Sequence, residues 1–237
     1  MKTIQSFFVS ILIMIVTTDV NGQWILQGEL NGDTASFGFG KSVALSADGL
    51  VMAVGASAGD SDSVFNCGQV KIFRYNAGAW VQMGDDIWGT DVSEYAGESV
   101  SLNDDGTIVA FGAYGNDSHG EDAGRVRVYR FENDNWVMMG NPIDGDMEGD
   151  FSGVAIDLSS DGSILAIGAH SFNTTLYSGQ VRVFKFESTD WVQLGTDIYG
   201  EMPYGCAGRS LALSADGHTI AVGAPFYDGI VSDGGYV

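Results

Sequence analysis

The stretch SVALSADGLVMAVGA, residues 42–56, decides the fold because the chain contains four versions of it. The other three are SVSLNDDGTIVAFGA at 99–113, AIDLSSDGSILAIGA at 155–169 and SLALSADGHTIAVGA at 210–224. In each version two apolar runs flank an Asp-Gly pair, which is typical of a tight β-hairpin because glycine accepts a positive φ. Each version therefore predicts one antiparallel pair of strands.

Two further phrases recur with the same period. GQVKIFRY (68–75), GRVRVYRF (124–131) and GQVRVFKF (179–186) are rich in β-branched and aromatic residues and predict a third strand. A tryptophan phrase (WILQG, WVQMG, WVMMG, WVQLG) predicts a fourth strand, and its tryptophans are 56, 56 and 55 residues apart. The repeat-defining residues are the tryptophans, the Asp-Gly turns and the glycines that close the second strand: Trp24, Trp80, Trp136, Trp191, Asp48, Gly49, Asp105, Gly106, Asp161, Gly162, Asp216, Gly217, Gly55, Gly112, Gly168 and Gly223.

Four antiparallel strands at a fixed period predict an all-β fold, a β-propeller built from about four four-stranded antiparallel blades. The repeat units are approximately 24–79, 80–135, 136–190 and 191–237. We expect the loops from strand two to three and from strand four to the next strand one to emerge on the same face. Gly55 and its equivalents should let neighbouring backbones approach closely.

The N-terminus has the pattern of a secretory signal peptide. Lys2 precedes the apolar run FFVSILIMIV at 7–16, and small residues follow at 20–22. The run is about half of the ~20 residues that a membrane-spanning helix needs, so an anchor is the less favoured interpretation. We therefore expect a signal peptide over residues 1–22, a repeat domain over residues 23–237, and a secreted, extracellular protein with no membrane span.

The charge excludes several kinds of partner. The chain has 10 Lys and Arg against 31 Asp and Glu, a formal net charge of −21. Binding to nucleic acid or to an anionic membrane surface requires a basic face. We expect neither.

From Trp24 to Val237 the chain resembles the FG-GAP repeat, the blade unit of the integrin alpha-chain β-propeller. Phe39-Gly40 corresponds to the "FG" and Gly223-Ala224-Pro225 to the "GAP". Only the first unit has phenylalanine before its glycine, and only the fourth has the proline. The resemblance implies a propeller used in extracellular adhesion or recognition.

The resemblance also implies calcium on an Asp-x-Asp-x-Asp-Gly stretch between strands one and two. The turns here, SADG, NDDG, SSDG and SADG, offer too few oxygens for the six to eight that calcium prefers. We therefore predict no cofactor and no metal site in these turns. The strand two-to-three loops could gather a weak cation, although a solvated acidic loop is the favoured interpretation: Asp60, Asp62, Asn116, Asp117, Glu121 and Asp122.

Signals for catalysis are few. His119, His170 and His218 lie at non-equivalent places in three units, and no nucleophile or paired acid accompanies them in a recognisable motif. The sequence also lacks a phosphate loop, zinc-ligand spacing and a dinucleotide fingerprint. We expect the chain not to be an enzyme.

Two kinds of covalent modification are candidates. Asn116-Asp117-Ser118 and Asn173-Thr174-Thr175 are sequons in strand two-to-three loops, where an exposed asparagine would be glycosylated in a eukaryotic secretory pathway. Cys67 and Cys206 should lie at the same face of the propeller, and they could form a disulfide if four blades closed into a ring. The favoured alternative is that the chain is part of a larger propeller.

Together these features predict a secreted, non-catalytic propeller that recognises an extracellular protein or surface ligand. The long loops 85–97, 144–153 and 197–208 would form the binding face, because rigid scaffolds often present function on loops. One alternative is a carbohydrate-binding propeller, and another is a propeller appended to an extracellular enzyme. The aromatic residues that could stack on sugar rings are Trp88, Tyr95, Tyr199 and Tyr204.

Overall fold

The computed structural model describes residues 13–18, 23–33, 37–170, 178–226 and 234–237, with only the backbone for 13–18, 24 and 25. The described residues form strands, turns and irregular segments and contain no helix. Accordingly, this part of the chain has no helix of the length and apolarity needed to cross a membrane. The predicted all-β class is confirmed.

The first complete sheet, called blade 1, has four antiparallel positions, as the repeat predicts. Its fourth strand is interrupted: two short pieces both pair with the third strand, and residues 83–86 bulge between them. In chain order the strands are β3 (Phe39–Leu45), β4 (Val51–Ala56), β5 (Gln69–Asn76), β6 (Ala79–Gln82) and β7 (Ile87–Trp88).

Two further sheets repeat this arrangement, including the divided fourth strand. Blade 2 comprises β8 (Ser99–Leu102), β9 (Ile108–Ala113), β10 (Arg125–Glu132), β11 (Asn135–Met138) and β12 (Ile143–Asp144). Blade 3 comprises β13 (Ala155–Leu158), β14 (Ile164–Ala169), β15 (Gln180–Glu187), β16 (Asp190–Gln193) and β17 (Ile198–Tyr199).

The ends of the chain contribute incomplete sheets. Half-blade 4 consists of β18 (Ser210–Leu213) and β19 (Ile220–Gly223), extended by a bridge between Ala224 and Tyr236. At the other end, β1 (Ile13–Thr18) pairs with β2 (Trp24–Leu30). Residues 13–18 of the predicted signal peptide lie in β1, while 1–12 and 19–22 lie outside the described residues, and the signal peptide stays a prediction.

The Asp-Gly turns have the predicted geometry. Gly49, Gly106, Gly162 and Gly217 have φ between 68° and 70°, in the left-handed region that favours glycine. Asp48 closes its turn by accepting hydrogen bonds from the Ser46 hydroxyl at 2.7 Å and the Leu50 amide at 2.9 Å. These two hydrogen bonds hold the pKa of Asp48 below its usual value.

Neighbouring blades meet through very close backbone contacts, as predicted for Gly55 and its equivalents. A Cβ added to Gly55 would lie 2.0 Å from the Gly97 carbonyl oxygen, and one on Gly112 would lie 1.9 Å from that of Gly153. The Ser42 hydroxyl donates to the Gly97 carbonyl at 2.8 Å across the same junction. Only glycine fits these positions without moving a backbone.

Apolar side chains fill the space between blades. One buried cluster joins the face of blade 1 that carries Val51 and Ile72 to the face of blade 2 that carries Leu102 and Phe111. A second cluster joins blades 2 and 3 in the same way. Each blade therefore takes part of its core from its neighbour.

Candidate ligand-binding face

Both sets of long loops lie at one end of the blades, as predicted, and we call this end the loop face. Parallel bridges join the end of each strand two-to-three loop to the loop that leads into the next blade. The bridged pairs are Gly68 with Ala96, Gly124 with Ser152, and Gly179 with Ala207. This backbone pairing makes the loop face a continuous, hydrogen-bonded platform.

A basic residue at the same position of each third strand lies beneath this platform. In blade 2 it is Arg127, which donates through Nη1 to Glu94 Oε1 at 2.6 Å and through Nη2 to Glu94 Oε2 at 3.0 Å. Nη2 also donates to the Thr90 hydroxyl at 2.7 Å. Burial alone would lower the pKa of Arg127, but the hydrogen bonds and charge of Glu94 hold it above its usual value.

The equivalent bases of the other blades make similar contacts with the loop that precedes their blade. Arg182 donates to Asp146 Oδ1 at 2.8 Å and to the Asp144 carbonyl at 2.7 Å. Lys71 pairs with Asp33 and lies 3.4 Å from Asp86 Oδ2. These bases therefore tie each loop to the following blade, and each is paired with a carboxylate, which is itself buried only in the Arg127–Glu94 pair.

Asn116 belongs to the same buried network, so the prediction that it is exposed is wrong, while its glycosylation stays a prediction. Its side chain is buried, and Nδ2 donates to Glu94 Oε2 at 2.7 Å and to Asp91 Oδ2 at 3.0 Å. A glycan attached to Nδ2 would displace these contacts and would not fit in the buried site. The second candidate, Asn173, lies outside the described residues.

A row of four rings runs across the loop face. Tyr95 stacks on Tyr114 with centroids 5.2 Å apart, Phe151 lies 6.0 Å from Tyr114, and His170 stacks on Phe151 at 5.1 Å. Tyr95 and Phe151 have φ of 57° and 54°, a conformation that bulky residues rarely adopt. Of these four residues, Tyr95 is the one predicted from the sequence as a candidate for ligand contact.

The other predicted aromatic contacts are dispersed. Tyr199 at the end of β17 and Tyr204 in the following loop are exposed, whereas Trp88 is half-buried in β7. The Tyr199 hydroxyl donates to Asp197 Oδ2 at 2.8 Å, and this carboxylate raises the pKa of Tyr199. Of the four aromatic candidates, Tyr199 and Tyr204 are the two exposed ones, at 62% and 61%.

The histidines remain apart from one another. His119 Nδ1 lies 3.1 Å from Asp144 Oδ2 at the edge of blade 2. His170 is buried in the ring row, where burial and the charge of Arg209 lower its pKa. His218 occupies an Asp-Gly turn, where its amide donates to Asp216.

The acidic loops are largely organised by internal hydrogen bonds. Asp60 Oδ1 accepts from the Asn66 amide at 2.6 Å, and Asp117 Oδ1 accepts from the Asp122 amide at 2.8 Å. Burial and the nearby charge of Asp117 raise the pKa of Asp122. Across the described ranges, no group of three or more His, Cys, Asp or Glu side chains is arranged to hold a metal ion.

The proposed Cys67–Cys206 disulfide is absent, and that prediction is wrong. Both cysteines are buried free thiols. Cys67 Sγ donates to the Gly59 carbonyl at 3.6 Å within its own blade, and burial raises the pKa of the Cys206 thiol. Each thiol is therefore enclosed by its own surroundings rather than directed at the other.

No protein-family model and no curated protein sequence matches the chain. Among solved structures, a putative 6-phosphogluconolactonase from Bacteroides uniformis has a TM-score of 0.59 and 12% identity, over 89% of this chain and 57% of the other. Hydrazine synthase from Kuenenia stuttgartiensis has a TM-score of 0.53 and 14% identity, over 84% and 45%. TolB from Acinetobacter baumannii has a TM-score of 0.50 and 15% identity, over 87% and 42%.

These similarities, together with the repeated four-stranded sheets, make the fold a β-propeller. The chain spans about half the length of the structures it matches. Its described residues fit an arc of a propeller rather than a closed ring.

The comparison corrects one expectation. The sparse catalytic motifs predicted a chain that is not an enzyme, but a protein with this fold is described as a putative lactonase. The same fold hosts enzymes and non-enzymes, so neither the fold nor the scarcity of catalytic motifs supports that exclusion. The prediction that the chain is not an enzyme is therefore wrong.

Proposed function

We propose that this protein is an extracellular recognition propeller that binds a protein or surface ligand through its loop face. The N-terminal signal-peptide pattern and the resemblance to FG-GAP repeats support the extracellular part of the proposal. The bridged loops support the recognition part, because a rigid platform keeps its contact residues in place before a ligand arrives.

The distribution of charge on the loop face indicates the charge of the partner. Lys71, Arg127 and Arg182 are buried and paired with acids. Among the residues that the structure describes, four exposed acids of the loop face are not ion-paired with a base: Asp62, Glu121, Glu148 and Glu201. A negative potential therefore remains on the outside of this face, and it favours a partner with a cationic surface.

A lysine-rich peptide is a direct probe of this proposal. We expect it to bind the chain and to weaken strongly when NaCl rises from about 0.1 M to about 1 M, which shortens the screening length from about 10 Å to about 3 Å. A glutamate-rich peptide of the same length should not bind. Binding that is indifferent to salt would contradict the proposal.

Two matched quadruple variants locate the contact. The loop-face variant carries Asp62→Asn, Glu121→Gln, Glu148→Gln and Glu201→Gln. The control removes four exposed acids from the opposite end: Asp104→Asn, Glu132→Gln, Asp134→Asn and Glu187→Gln. Because each exposed charge contributes a few tenths of a kcal/mol, the loop-face variant should lose about tenfold in affinity. Equal losses in both variants would mean attraction to net charge alone.

Carbohydrate binding is the second candidate, and the exposed rings of Tyr199 and Tyr204 favour it. Aromatic side chains with an exposed face can pack against the apolar side of a sugar ring. A glycan array probed with the wild-type chain and with Tyr199→Ala/Tyr204→Ala separates the two candidates. Glycan binding that the double variant abolishes, and that salt does not weaken, would support carbohydrate recognition.

A further inference from the structure

The repeat allows the loop face of blade 1 to be compared with that of blade 2, position by position. In blade 1, the Ser93 amide donates to the Phe65 carbonyl at 3.0 Å and joins the strand two-to-three loop to the loop that leads into blade 2. In blade 2, the Gly149 amide donates to the Glu121 carbonyl at 2.8 Å in the same way. The side chains at these two contacts form crest 1, which is Phe65 and Val92, and crest 2, which is Glu121 and Glu148.

The two crests carry side chains of different character at the same exposed position. Phe65 and Val92 are 63% and 61% exposed, and Glu121 and Glu148 are exposed as well. Blade 2 has a neighbouring blade on each side, so the exposure of crest 2 shows that this position is open in a fully flanked blade. Crest 1 is therefore exposed because of its place in the blade and not because blade 1 lies near one end of the described chain.

The fold does not require apolar side chains at a crest. The Tyr95 amide donates to the Asn66 carbonyl beside crest 1, and the Phe151 amide donates to the Asp122 carbonyl beside crest 2. The backbone contacts are thus the same with either kind of side chain. Single exposed apolar residues are common on protein surfaces, but here two of them lie on hydrogen-bonded neighbouring segments where the next blade has two carboxylates. Such a pair indicates a contact surface rather than a need of the fold.

The loop that carries crest 1 is held in place by its own hydrogen bonds. Asp60 Oδ1 accepts from the Asn66 amide at 2.6 Å, and the Ser61 hydroxyl accepts from the Val64 amide at 3.1 Å. These bonds close the loop around Phe65. Because the loop is already ordered, a partner that packs on crest 1 loses little affinity to the ordering of this segment.

Acidic side chains surround crest 1. Asp62 is exposed in the same loop as Phe65, and Asp91 is exposed beside Val92. Crest 2 adds two exposed carboxylates one blade away. A partner that covers crest 1 must therefore bring positive charge next to its apolar group, because these carboxylates would otherwise lose water without gaining a partner.

We propose that crest 1 is an apolar anchor site that binds a bulky apolar side chain within a basic peptide segment of the partner protein. The inference rests on the proposed function, which supplies the positive charge of the partner. In this contact the apolar side chain packs on Phe65 and Val92, while flanking lysine or arginine side chains pair with Asp62, Asp91 and the carboxylates of crest 2. The acids give the contact its salt dependence, and crest 1 selects basic segments that contain a bulky apolar residue.

Two peptides that differ in one residue test the proposal. Both are short lysine peptides, one with leucine and one with alanine at its centre. The wild-type chain should bind the leucine peptide about five- to tenfold more tightly, because packing on crest 1 removes about half of the leucine side chain from water. Isothermal titration calorimetry at low salt, where the charge contribution is largest, measures both dissociation constants.

Matched double variants locate the anchor. Phe65→Ser/Val92→Ser should bind both peptides alike, with the affinity that the wild-type chain has for the alanine peptide. The control is Val81→Ser/Val137→Ser, which removes valines that are 53% and 49% exposed on β6 and β11, and it should keep the preference for leucine. Circular dichroism should show that both variants are folded. A leucine preference that persists in Phe65→Ser/Val92→Ser would overturn the assignment to crest 1.

The outcomes distinguish this inference from the proposed function. Equal, salt-sensitive binding of the two peptides to the wild-type chain would overturn the anchor site while the proposed function still holds. Binding of neither peptide would overturn both.

Two other occupants of crest 1 are outcomes of the same set of variants. Light scattering during size exclusion should give the same mass for the wild-type chain and for Phe65→Ser/Val92→Ser. A lower mass in the variant would overturn the proposal, because crest 1 would then contact a second molecule of this chain. Cosedimentation of the wild-type chain, but not of the variant, with neutral phosphatidylcholine vesicles would also overturn it, because the occupant would be a lipid surface.

Discussion

Blade 2 and half-blade 4 contain the same fifteen-residue phrase, yet the chain buries the two copies very differently. All six residues of β9 are buried, whereas none of the four residues of β19 is. The Asp-Gly turn and the register between strands one and two are the same in both, but β9 also pairs with a third strand, β10. The difference shows that burial in this fold is determined by the neighbouring blade and by the third strand, not by the hairpin itself.

The largest effect that tests this comparison is expected in the second strands. Phe111 of β9 is completely buried, and its equivalent in β19 is the half-buried Val222. Phe111→Ala should lower the free energy of unfolding by about 3–5 kcal/mol because it leaves a cavity between blades 1 and 2. Val222→Ala should cost less than about 1.5 kcal/mol. Urea denaturation of both variants measures the difference, and equal losses would contradict the comparison.

A smaller loss of stability is expected when a Cβ is added at the close backbone contacts between blades. Gly112→Ala would place a Cβ 1.9 Å from the Gly153 carbonyl oxygen, so a backbone must move. At Gly223 the nearest atom is the Ser210 hydroxyl, at 2.3 Å, which can rotate away. Gly112→Ala should therefore destabilise the protein by about 1–3 kcal/mol, and Gly223→Ala by clearly less. Thermal unfolding of both variants provides the measurement.

The tryptophans provide a third matched pair. Trp136 Nε1 donates to the Met83 carbonyl of blade 1 at 2.8 Å, but buried Trp80 Nε1 has no hydrogen-bond partner in the described part of the chain. Trp136→Phe loses a hydrogen bond worth about 1 kcal/mol in addition to its packing, while Trp80→Phe removes an unsatisfied donor. Trp136→Phe should be the more destabilising variant. The reverse order in urea denaturation would contradict the role assigned to this bond.

The smallest effect concerns the Asp-Gly turns, which should behave alike in both regions because their contacts are local. Hydrogen bonds from the Ser214 hydroxyl and the His218 amide lower the pKa of Asp216. The pKa of Asp105 is also lowered: burial alone would raise it, but the hydrogen bonds from Thr107 and Asn103 lower it by more. A carboxylate with a lowered folded-state pKa stabilises the protein above its unfolded pKa of about 3.9 and loses that effect as the pH falls through the folded value. Asp105→Asn and Asp216→Asn should therefore destabilise at neutral pH and approach wild type below pH of about 3.

The strand pattern could be predicted from the sequence because local residues determine it. The Asp-Gly turns and the tryptophan period specify strands one to four wherever they occur. The interruption at residues 83–86 was missed because the tryptophan phrase reads as one continuous strand. Its signal is the Gly-Asp-Asp sequence at 84–86, which is unfavourable inside a strand.

The polar network of the loop face was harder to predict. The third-strand bases are visible in the repeated phrases, but their acidic partners vary in position. Arg127 pairs with Glu94, whereas Arg182 pairs with Asp146, which is equivalent to Thr90 rather than to Glu94. The partners are more than 30 residues apart, so neither periodicity nor local spacing identifies them. The same limit explains why Asn116 was expected to be exposed.

Hydrogen exchange of β9 and β19 tests the central claim most directly. The amides of Ile108–Ala113 in β9 should exchange slowly and those of Ile220–Gly223 in β19 quickly, because β9 is buried and β19 is not. Equal exchange of the two strands would contradict the claim that neighbouring blades, rather than the hairpin sequence, protect each strand.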